Sequence, residues 1–333
     1  MMELEFGYPF TGPQQKSLAA FLAAQGLGYD EDIEFTVNLV ENRQLIATGS
    51  LAGYVLKCLA VETGRQGQGL MALLVTELRK EAFARGQDQL LAFTKPANSL
   101  LFESLGFFPV AATADACLLE SRRNGVTDFV RSLQGPLRGG RIGCIVANCD
   151  PFTRGHRYLT ETAAAACDWL YLLILSEDRG LFSAGDRLAL ARENTADLPN
   201  VSVHPTGVYQ VSRATFPEYF LRDKTRAAEI SCRLDLTIFA RHFAPALGIS
   251  RRFVGTEPLS LVTREYNEQM KAFLPGLGIA VEEIPRLEVK GGPVSASRVR
   301  ALWRQGDLAE LAPLVPEATR RFLRQTAAKQ LSD

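Results

Sequence analysis

The chain has no surplus of charge and no long apolar run. Its 37 basic and 37 acidic residues give a formal net charge of zero, so electrostatics do not favour nucleic acid or a membrane surface as a partner. The longest clean apolar run, 169–175, is far too short to cross a bilayer. The start, Met-Met-Glu-Leu-Glu, lacks the basic stretch that opens a secretory signal. Together these absences predict a soluble, cytoplasmic protein.

Cysteine is present but lacks the spacings typical of zinc sites. The six cysteines form no C-x-x-C pair, and most lie in apolar surroundings, where a free thiol behaves as a small apolar side chain. We therefore expect reduced thiols, as is usual in the cytoplasm, and we assign no metal-ligating residue. Cys149 alone lies in a turn rich in polar residues, and there we favour a packing role over a nucleophilic one.

Length and punctuation predict two domains. A chain of 333 residues with 47% hydrophobic content can bury two cores. Glycine and proline cluster in 134–141, which is typical of a linker. We therefore predict a domain over 1–133, a linker over 134–141, and a second domain over 142–333 that ends in helices.

The second domain alternates apolar strands with helices. Such alternation is typical of an α/β fold with a doubly wound, Rossmann-like parallel sheet. In that fold the ligand binds beyond the carboxyl ends of the strands, where the strand order reverses. We predict strands over 142–147, 169–175, 201–205, 252–255 and 279–284, and helices over 156–166, 187–196, 266–273, part of 230–246 and the tail after 297.

The most informative motif follows the first of these strands. Residues 147–156 read Ala-Asn-Cys-Asp-Pro-Phe-Thr-Arg-Gly-His, a strand-to-helix turn whose free N–H groups suit a phosphate. Thr153, Gly155 and His156 form T-x-G-H, which resembles the first signature of the nucleotidylyltransferase superfamily. An imidazole N–H and a threonine hydroxyl at a helix start can stabilise the charge that builds on an α-phosphate under attack. The glycine between them lets the backbone approach a nucleotide.

A second motif lies near the other end of the chain. Residues 294–300 read Val-Ser-Ala-Ser-Arg-Val-Arg, which resembles the I-S-S-T-x-x-R signature of the same superfamily. Ser295 and Ser297 can cap a helix and donate to phosphate oxygens. Arg300 follows Ser297 by three residues and shares its helix face, from which it would reach the leaving pyrophosphate. Two partial signatures in the right order make coincidence a poor explanation.

The two resemblances imply a set of site residues and a cofactor. ATP is the expected nucleotide, and Mg²⁺ is expected to accompany it, held mainly by phosphates and water. Catalytic roles are implied for Thr153, His156 and Arg300. ATP binding is implied for Asn148, Gly155, Ser295, Ser297 and Arg300. Weaker candidates, which rest on position alone, are Arg187, Arg213, Arg222, Arg264, Tyr266 and Asn267.

The first domain has a different order of elements. We predict strands over 35–38, 45–50, 54–61 and 90–94, a long helix ending at 84, and a helix over 98–107. Gln66, Gly67 and Gly69 lie in the turn before the long helix, and this turn resembles the pyrophosphate loop of the GNAT acetyltransferases except at Met71. The resemblance implies a GNAT-like α+β fold and binding of a coenzyme-A-like group at that loop. Glu62 has the position of a general base, but an exposed turn residue explains it better.

The domain order and several flanking segments carry a more specific resemblance. Residues 176–178, 212–217 and 253–258 look like those of the citrate lyase ligase family, and the resemblance covers nearly all 333 residues. It implies an AMP-forming acid–thiol ligase that uses ATP and passes through an acetyl-adenylate, with release of pyrophosphate. The implied partners are acetate and the acyl carrier subunit of citrate lyase, whose coenzyme-A-like prosthetic group receives the acetyl group on its thiol.

Three other functions stay open on the sequence. An adenylyltransferase acting on a pantetheine phosphate or on nicotinamide mononucleotide would share both signatures, but it would not need the first domain. An active N-acetyltransferase regulated by the nucleotide domain is disfavoured by Met71 and by the lack of a convincing general base. A non-catalytic nucleotide sensor would have no need of donors aimed at a transition state. The ligase is therefore the leading hypothesis.

Overall fold

Each of two units is built on its own main sheet in this computed structural model. The structure describes residues 2–135, 139–178, 180–211, 216–221 and 223–330. Internal contacts define a first unit, which comprises the chain up to Val126 together with Val211–Thr237, and a second unit, which comprises Thr127–Gln210 and the chain from Ile238 onward. The sequence-based division at 133 and 142 did not include this excursion at 211–237. Part of the predicted linker, 136–138, lies outside the described residues.

Aromatic packing explains why 211–237 belongs to the first unit. The rings of Phe216 and Phe93 meet edge to face, with centroids 5.7 Å apart. Tyr219 is buried, its carbonyl oxygen accepts from the Gly28 N–H at 2.7 Å, and its hydroxyl donates to the Phe93 carbonyl oxygen at 3.4 Å. These ring contacts and hydrogen bonds join residues more than a hundred positions apart in the chain, which local sequence patterns do not reveal.

The first unit has a seven-stranded mixed sheet. Its strands are β1 (Met2–Gly7), β2 (Phe35–Glu41), β3 (Gln44–Ala52), β4 (Val55–Val61), β5 (Leu91–Thr94), β6 (Phe108–Ala112) and β7 (Cys117–Glu120). They lie in the order β1-β2-β3-β4-β5-β7-β6. β4 and β5 are parallel, whereas the other neighbouring strands are antiparallel. The GNAT-like α+β fold predicted for this part of the chain is confirmed.

A helix between the two parallel strands covers one face of this sheet. The helices of this part are α1 (Gly12–Ala24), α2 (Leu70–Ala84) and α3 (Ser99–Ser104). In α2, Leu70, Leu74 and Leu78 recur every four residues and so share one face. All three are buried in the core of the unit. Burial of each such side chain contributes about 1.5–3 kcal/mol, which fixes α2 and its glycine-rich start against the sheet.

The second unit has a five-stranded parallel sheet. Its strands are β8 (Ile142–Ala147), β9 (Trp169–Ile174), β10 (Val201–Pro205), β11 (Ile249–Gly255) and β12 (Ala280–Ile284), in the order β10-β9-β8-β11-β12. All neighbours are parallel, which confirms the predicted doubly wound α/β fold. The order reverses beside β8, so the turn after β8 lies at the point where such sheets bind ligands.

Helices follow most of these strands. In chain order the helices are α4 (Gly125–Ser132), which precedes β8, then α5 (Arg154–Ala165), α6 (Ala184–Glu193), α7 (Ala227–Ile238), α8 (Ala244–Leu247) and α9 (Leu261–Phe273). Of these, α7 lies almost wholly in the excursion 211–237 of the first unit, whereas α5, α6, α8 and α9 belong to the second unit. A π-helical stretch, Phe239–Phe243, joins α7 to α8. α5 begins two residues earlier than predicted, because Thr153 caps it. Among the described residues, no helix has the length and apolar character needed to cross a membrane.

The C-terminal part places the second motif. A two-stranded hairpin, β13 (Glu288–Val289) with β14 (Gly292–Pro293), precedes α10 (Ala296–Arg304), α11 (Leu308–Leu311) and α12 (Glu317–Gln330). α10 is anchored through Trp303, whose indole N–H donates to the Leu323 carbonyl oxygen at 3.0 Å. Val294 and Val299 are buried in the same small core. The N-terminus of α10 is therefore held by apolar contacts on either side of its first turn.

Candidate active site

The turn between β8 and α5 is closed by two reciprocal hydrogen bonds. The Thr153 hydroxyl accepts from the backbone N–H of His156 at 3.3 Å. In return, the Thr153 backbone N–H donates to His156 Nδ1 at 3.0 Å. This capping box fixes the orientation of the imidazole. Because Nδ1 is the acceptor, the ring proton lies on Nε2, where it is available as a donor.

His156 is neutral at physiological pH. Burial lowers its pKa to about 4, and the positive charge of Arg286 acts in the same direction. A neutral ring with its proton on Nε2 can donate a hydrogen bond to an anion without first gaining a proton. The donor is therefore present over the whole pH range in which the protein is expected to work.

The second motif begins α10 as the sequence predicts. Ser295 is the residue before the helix, and its hydroxyl accepts from the Arg298 N–H at 3.2 Å. Ser297 lies in the first turn, and Arg300 lies one turn further on. The Arg300 Nη2 group donates to the Ser297 hydroxyl at 3.1 Å. The hydroxyl-then-cation pattern thus forms one polar edge at the start of α10.

Gly155 allows the two motifs to touch. A Cβ atom at this position would lie 3.1 Å from the Val294 carbonyl oxygen and 3.4 Å from Thr153 Oγ1. The first distance is tighter than an ordinary contact, so a side chain here would require the chain at Val294 to move by a few tenths of an ångström. Glycine at position 155 therefore allows close packing against the backbone just before Ser295, in addition to any approach to a nucleotide.

Arg300 links α10 to the turn after β8. Its Nη1 group donates to the Asp150 carbonyl oxygen and lies 3.5 Å from the Asp150 carboxylate. That carboxylate is buried and accepts the N–H groups of Leu181 and Phe182, each at 3.0 Å. Asp150 therefore fixes the loop after β9, while about a quarter of the Arg300 side chain stays exposed and accessible to an anion.

One cavity of about 580 Å³ collects the predicted residues of this unit. The lining contains residues of both motifs and of the chain that follows β11 and β12. From the predicted set it includes Asn148, Thr153, Gly155, His156, Ser295, Ser297 and Arg300. The cavity therefore brings together side chains that are some 140 residues apart in sequence, at the carboxyl ends of β8 and β11.

Arg187 has a role that the sequence did not indicate. Its position in the sequence suits either a nucleotide contact or a surface residue, but its side chain is fully buried. Its Nη1 group donates to the Asn148 carbonyl oxygen at 2.9 Å and to the Asn148 side-chain oxygen at 2.5 Å. Its remaining nitrogens donate to the carbonyl oxygens of Phe182 and Glu177. Arg187 thus holds Asn148 and the loop after β9 in place from beneath the cavity.

Arg286 is a site residue that sequence reasoning missed. It follows β12 and lines the cavity, and its charge acts on His156. Its Nε group donates to the Thr256 carbonyl oxygen at 2.6 Å, and Nη2 donates to the Glu257 carboxylate. The only sequence signal was a basic residue at the carboxyl end of a predicted strand, which is common on surfaces.

The weaker candidates have mixed outcomes. Tyr266 and Asn267 line the cavity, and the Asn267 amide donates to the Gly255 carbonyl oxygen at 3.1 Å. Arg264 is exposed and is not part of the lining. Two further candidates, Arg213 and Arg222, lie outside the described residues.

Cys149 is inaccessible within the turn. Its side chain is fully buried in the core of the second unit, and burial raises the pKa of the thiol, so the reactive thiolate is disfavoured. The other five cysteines are also free and buried. These observations agree with the packing role that we expected.

The glycine-rich turn of the first unit borders a second cavity, of about 820 Å³. Gln66, Gly67 and Gly69 line it at the start of α2. Gly67 and Gly69 have φ angles of 79° and 77°, a conformation that side chains other than glycine adopt only with strain. Met71 also lines the cavity but packs partly into the core, and Glu62 is exposed. The chemistry available here is binding through backbone N–H groups at a helix start.

Comparison with known proteins identifies relatives over nearly the whole chain. A family model described as the citrate lyase ligase C-terminal domain matches residues 142–323. Citrate (pro-3S)-lyase ligase of Klebsiella pneumoniae is 43% identical over 324 residues, which cover 96% of this chain and 95% of the relative. The enzyme of the same name from Escherichia coli (strain K12) is 39% identical, with 92% and 89% coverage.

Solved structures match parts of the chain at low identity. An acyl-CoA N-acyltransferase from Pseudomonas aeruginosa is 14% identical and has a TM-score of 0.31, with 36% of this chain and 97% of that chain covered. The relatives of high identity and coverage, together with the matched C-terminal domain, show that the chain belongs to the citrate lyase ligase family.

Proposed function

We propose that this protein is an ATP-dependent, AMP-forming acid–thiol ligase that activates citrate lyase. It would do so by acetylating the thiol of the prosthetic group on the acyl carrier subunit. Two relatives with nearly full coverage are named as citrate (pro-3S)-lyase ligases, which supports this substrate. The observation that carries the chemistry is that both nucleotide motifs line one cavity at the switch point of the sheet.

ATP would bind across the starts of α5 and α10. Residues at the starts of both helices line the cavity, and the positive dipole ends of the helices favour a polyphosphate there. Ser295 and Ser297 supply hydroxyl donors on one side, and Asn148, held by Arg187, supplies an amide on the other. Arg300 provides the cation for the β- and γ-phosphates. Mg²⁺ would enter with ATP, because this ion is usually held by phosphates, water and only one or two carboxylates.

The first step would form acetyl-adenylate. One acetate oxygen attacks the α-phosphorus, the bond from that phosphorus to the bridging oxygen breaks, and pyrophosphate leaves with the bonding electrons. Negative charge grows on the non-bridging α-phosphate oxygens, where His156 Nε2–H and the Thr153 hydroxyl are the proposed donors. Arg300 stabilises the charge on the departing pyrophosphate. The protein contributes orientation and electrostatic stabilisation, and it needs no covalent nucleophile.

The second step would transfer the acetyl group to sulfur. The thiol of the carrier's prosthetic group loses its proton to solvent, its sulfur attacks the acetyl carbonyl carbon, and AMP leaves with the electrons of the carbon–oxygen bond. We propose that the cavity of the first unit binds the coenzyme-A-like part of this group. Gln66, Gly67 and Gly69 would hold its pyrophosphate through backbone N–H groups at the start of α2.

Exchange of labelled pyrophosphate into ATP tests the first step. The assay contains the purified protein, ATP, Mg²⁺ and pyrophosphate, with and without acetate, and no carrier protein. Exchange that depends on acetate is the expected result, because it requires reversible formation of acetyl-adenylate. Absence of exchange with acetate would contradict the proposal. In that event phosphopantetheine and nicotinamide mononucleotide are offered as acceptors, and a product that retains AMP identifies an adenylyltransferase.

A further inference from the structure

Arg252 is a buried arginine with unpaired donors. Its side chain is 2% exposed, and its Nε and Nη1 atoms have no hydrogen-bond partner among the residues that the structure describes. A buried guanidinium that lacks such partners is costly, since both its charge and its N–H groups have left water. An anionic ligand that accepts from these N–H groups would offset this cost.

The surroundings hold the guanidinium in a fixed orientation. Its carbon lies 4.4 Å from the ring centroid of Phe239, the first residue of the π-helical stretch. Short π-helical stretches occur often at functional sites. Cys144 of β8 is the register partner of Arg252 on the neighbouring strand. Burial raises the pKa of the Cys144 thiol to about 11, although the charge and hydrogen bond of Arg252 act in the opposite direction. The thiol is therefore neutral and does not neutralise the arginine.

Arg252 lies at the inner part of the ATP cavity. It lines the same cavity as His156, but three residues before the end of β11, which is roughly 10 Å along a strand. Val254 follows two residues later on the same face of the sheet, and Val146 has the equivalent place on β8. Both are half-buried and line the cavity. Between Arg252 and the strand ends, this face of β8 and β11 therefore presents small apolar side chains that line the same cavity.

We propose that Arg252 binds the carboxylate of the small acid substrate, with Val146 and Val254 limiting the size of that acid. The inference rests on the proposed function, because that function supplies a short carboxylate that must reach the α-phosphate. Carboxylate oxygens accept charge-assisted hydrogen bonds from guanidinium N–H groups, which matches the two unpaired donors. Because apolar side chains line the cavity near Arg252, an anion bound there in addition to ATP is better matched by acetate, which carries a methyl group, than by a further phosphate.

Substitution of Arg252 gives the direct test. Arg252→Lys keeps a buried cation but loses the planar guanidinium with its several N–H donors, and Arg252→Gln removes the charge. In acetate-dependent pyrophosphate exchange, we expect both variants to raise the KM for acetate roughly 10- to 100-fold, the range for loss of a charged hydrogen bond. The KM for ATP should change less than about twofold, because the donors to the triphosphate are untouched. An acetate KM equal to that of the unmodified protein would overturn the proposal.

Arg251→Gln is the matched control. Arg251 is the preceding residue, points to the opposite face of β11, and pairs with Glu282 at 2.8 Å on the half-exposed surface. Its variant should leave both KM values unchanged. If the Arg252 variants do not fold, Val254→Leu replaces them, since a larger side chain should raise the KM for propionate more than that for acetate. Equal effects on the two acids would then refute the inference.

A binding measurement separates this inference from the proposed function. Melting temperatures are compared in sodium acetate and in sodium chloride of equal ionic strength, without ATP. Stabilisation by acetate in the unmodified protein and in Arg251→Gln, but not in Arg252→Lys, supports the carboxylate site even if pyrophosphate exchange fails. Exchange that depends on acetate, combined with unchanged acetate binding in Arg252→Lys, would support the proposed function and reject the role of Arg252.

Discussion

Replacement of His156 by asparagine isolates its proposed role as a donor. The native ring has two tasks, since Nδ1 accepts from the Thr153 N–H at 3.0 Å and Nε2 carries the proton that faces the cavity. An asparagine side-chain oxygen can replace Nδ1 as the acceptor, but asparagine is too short to place a donor at the position of Nε2. His156→Asn should therefore keep the helix cap and lose only the contact with the α-phosphate. His156→Ala loses both.

The two losses have different sizes and different readouts. Loss of one transition-state donor lowers turnover by roughly 10²–10³, so both variants should fall by that factor in acetate-dependent pyrophosphate exchange. Loss of the cap acceptor costs about 1 kcal/mol of folding free energy, so only His156→Ala should show it in urea unfolding. His156→Gln, whose amide N–H can reach near the Nε2 position, should recover part of the rate.

The assay compares rates at saturating ATP and acetate. A folded His156→Asn variant with a native rate would show that the imidazole does not act on the transition state. A variant in which only the KM for ATP rises, with kcat preserved, would show that the ring contributes to ground-state binding alone. Either result would refute the assignment.

Three further predictions concern other parts of the molecule. Arg187→Met should lower the free energy of unfolding, measured in urea, by about 3–5 kcal/mol, because it leaves several buried acceptors without a donor. The control Arg192→Met, on the exposed side of α6, should change that free energy by less than about 0.5 kcal/mol. The free energy of unfolding should fall as the pH drops from 6.5 towards 4. The pKa of His156 is about 4 in the folded protein and about 6.5 in the unfolded chain, so in this range the proton binds to the unfolded chain and stabilises it. His156→Asn should lack this contribution to the fall. Gly69→Ala should weaken binding of coenzyme A, measured by calorimetry. Alanine is strained at the left-handed φ of 77° that Gly69 adopts, so the start of α2 would shift. An unchanged affinity would show that this loop is not part of the proposed site.

Much of the second unit was predictable because its central strands β8 and β9 are apolar along their length. Buried parallel strands show this composition directly, and turns rich in glycine, proline and serine separate them from the helices. The strand 201–205 was predicted with the bounds that the structure shows. β1 was not predicted, although Met-Glu-Leu-Glu-Phe alternates as a half-buried strand does. The place of 211–237 depends on contacts between distant segments, which no local pattern contains.

The site was predictable only where a motif announced it. The sequence singles out Thr153, His156, Ser295 and Arg300 because hydroxyls, glycine and cations recur at helix starts for a chemical reason, and all four line one cavity. The supporting arginines could not be found this way, because arginine is mostly exposed in proteins and a single arginine carries no burial signal. Arg187 differs from its exposed neighbour Arg192 only through the tertiary structure around it.

The excursion at 211–237 has a consequence for the order of folding. The first unit contains Tyr219 as a fully enclosed side chain against Phe93 and Gly28. Because β8, β9 and β10 precede residues 211–237 in the chain, they are synthesised before the segment that completes the first unit. Until then, the emerging N-terminal part leaves the apolar surface that Tyr219 covers exposed to solvent, and chaperones that bind such surfaces can act in that interval. Fragments that end at 133 would keep that surface exposed permanently, whereas fragments that extend through 237 would not.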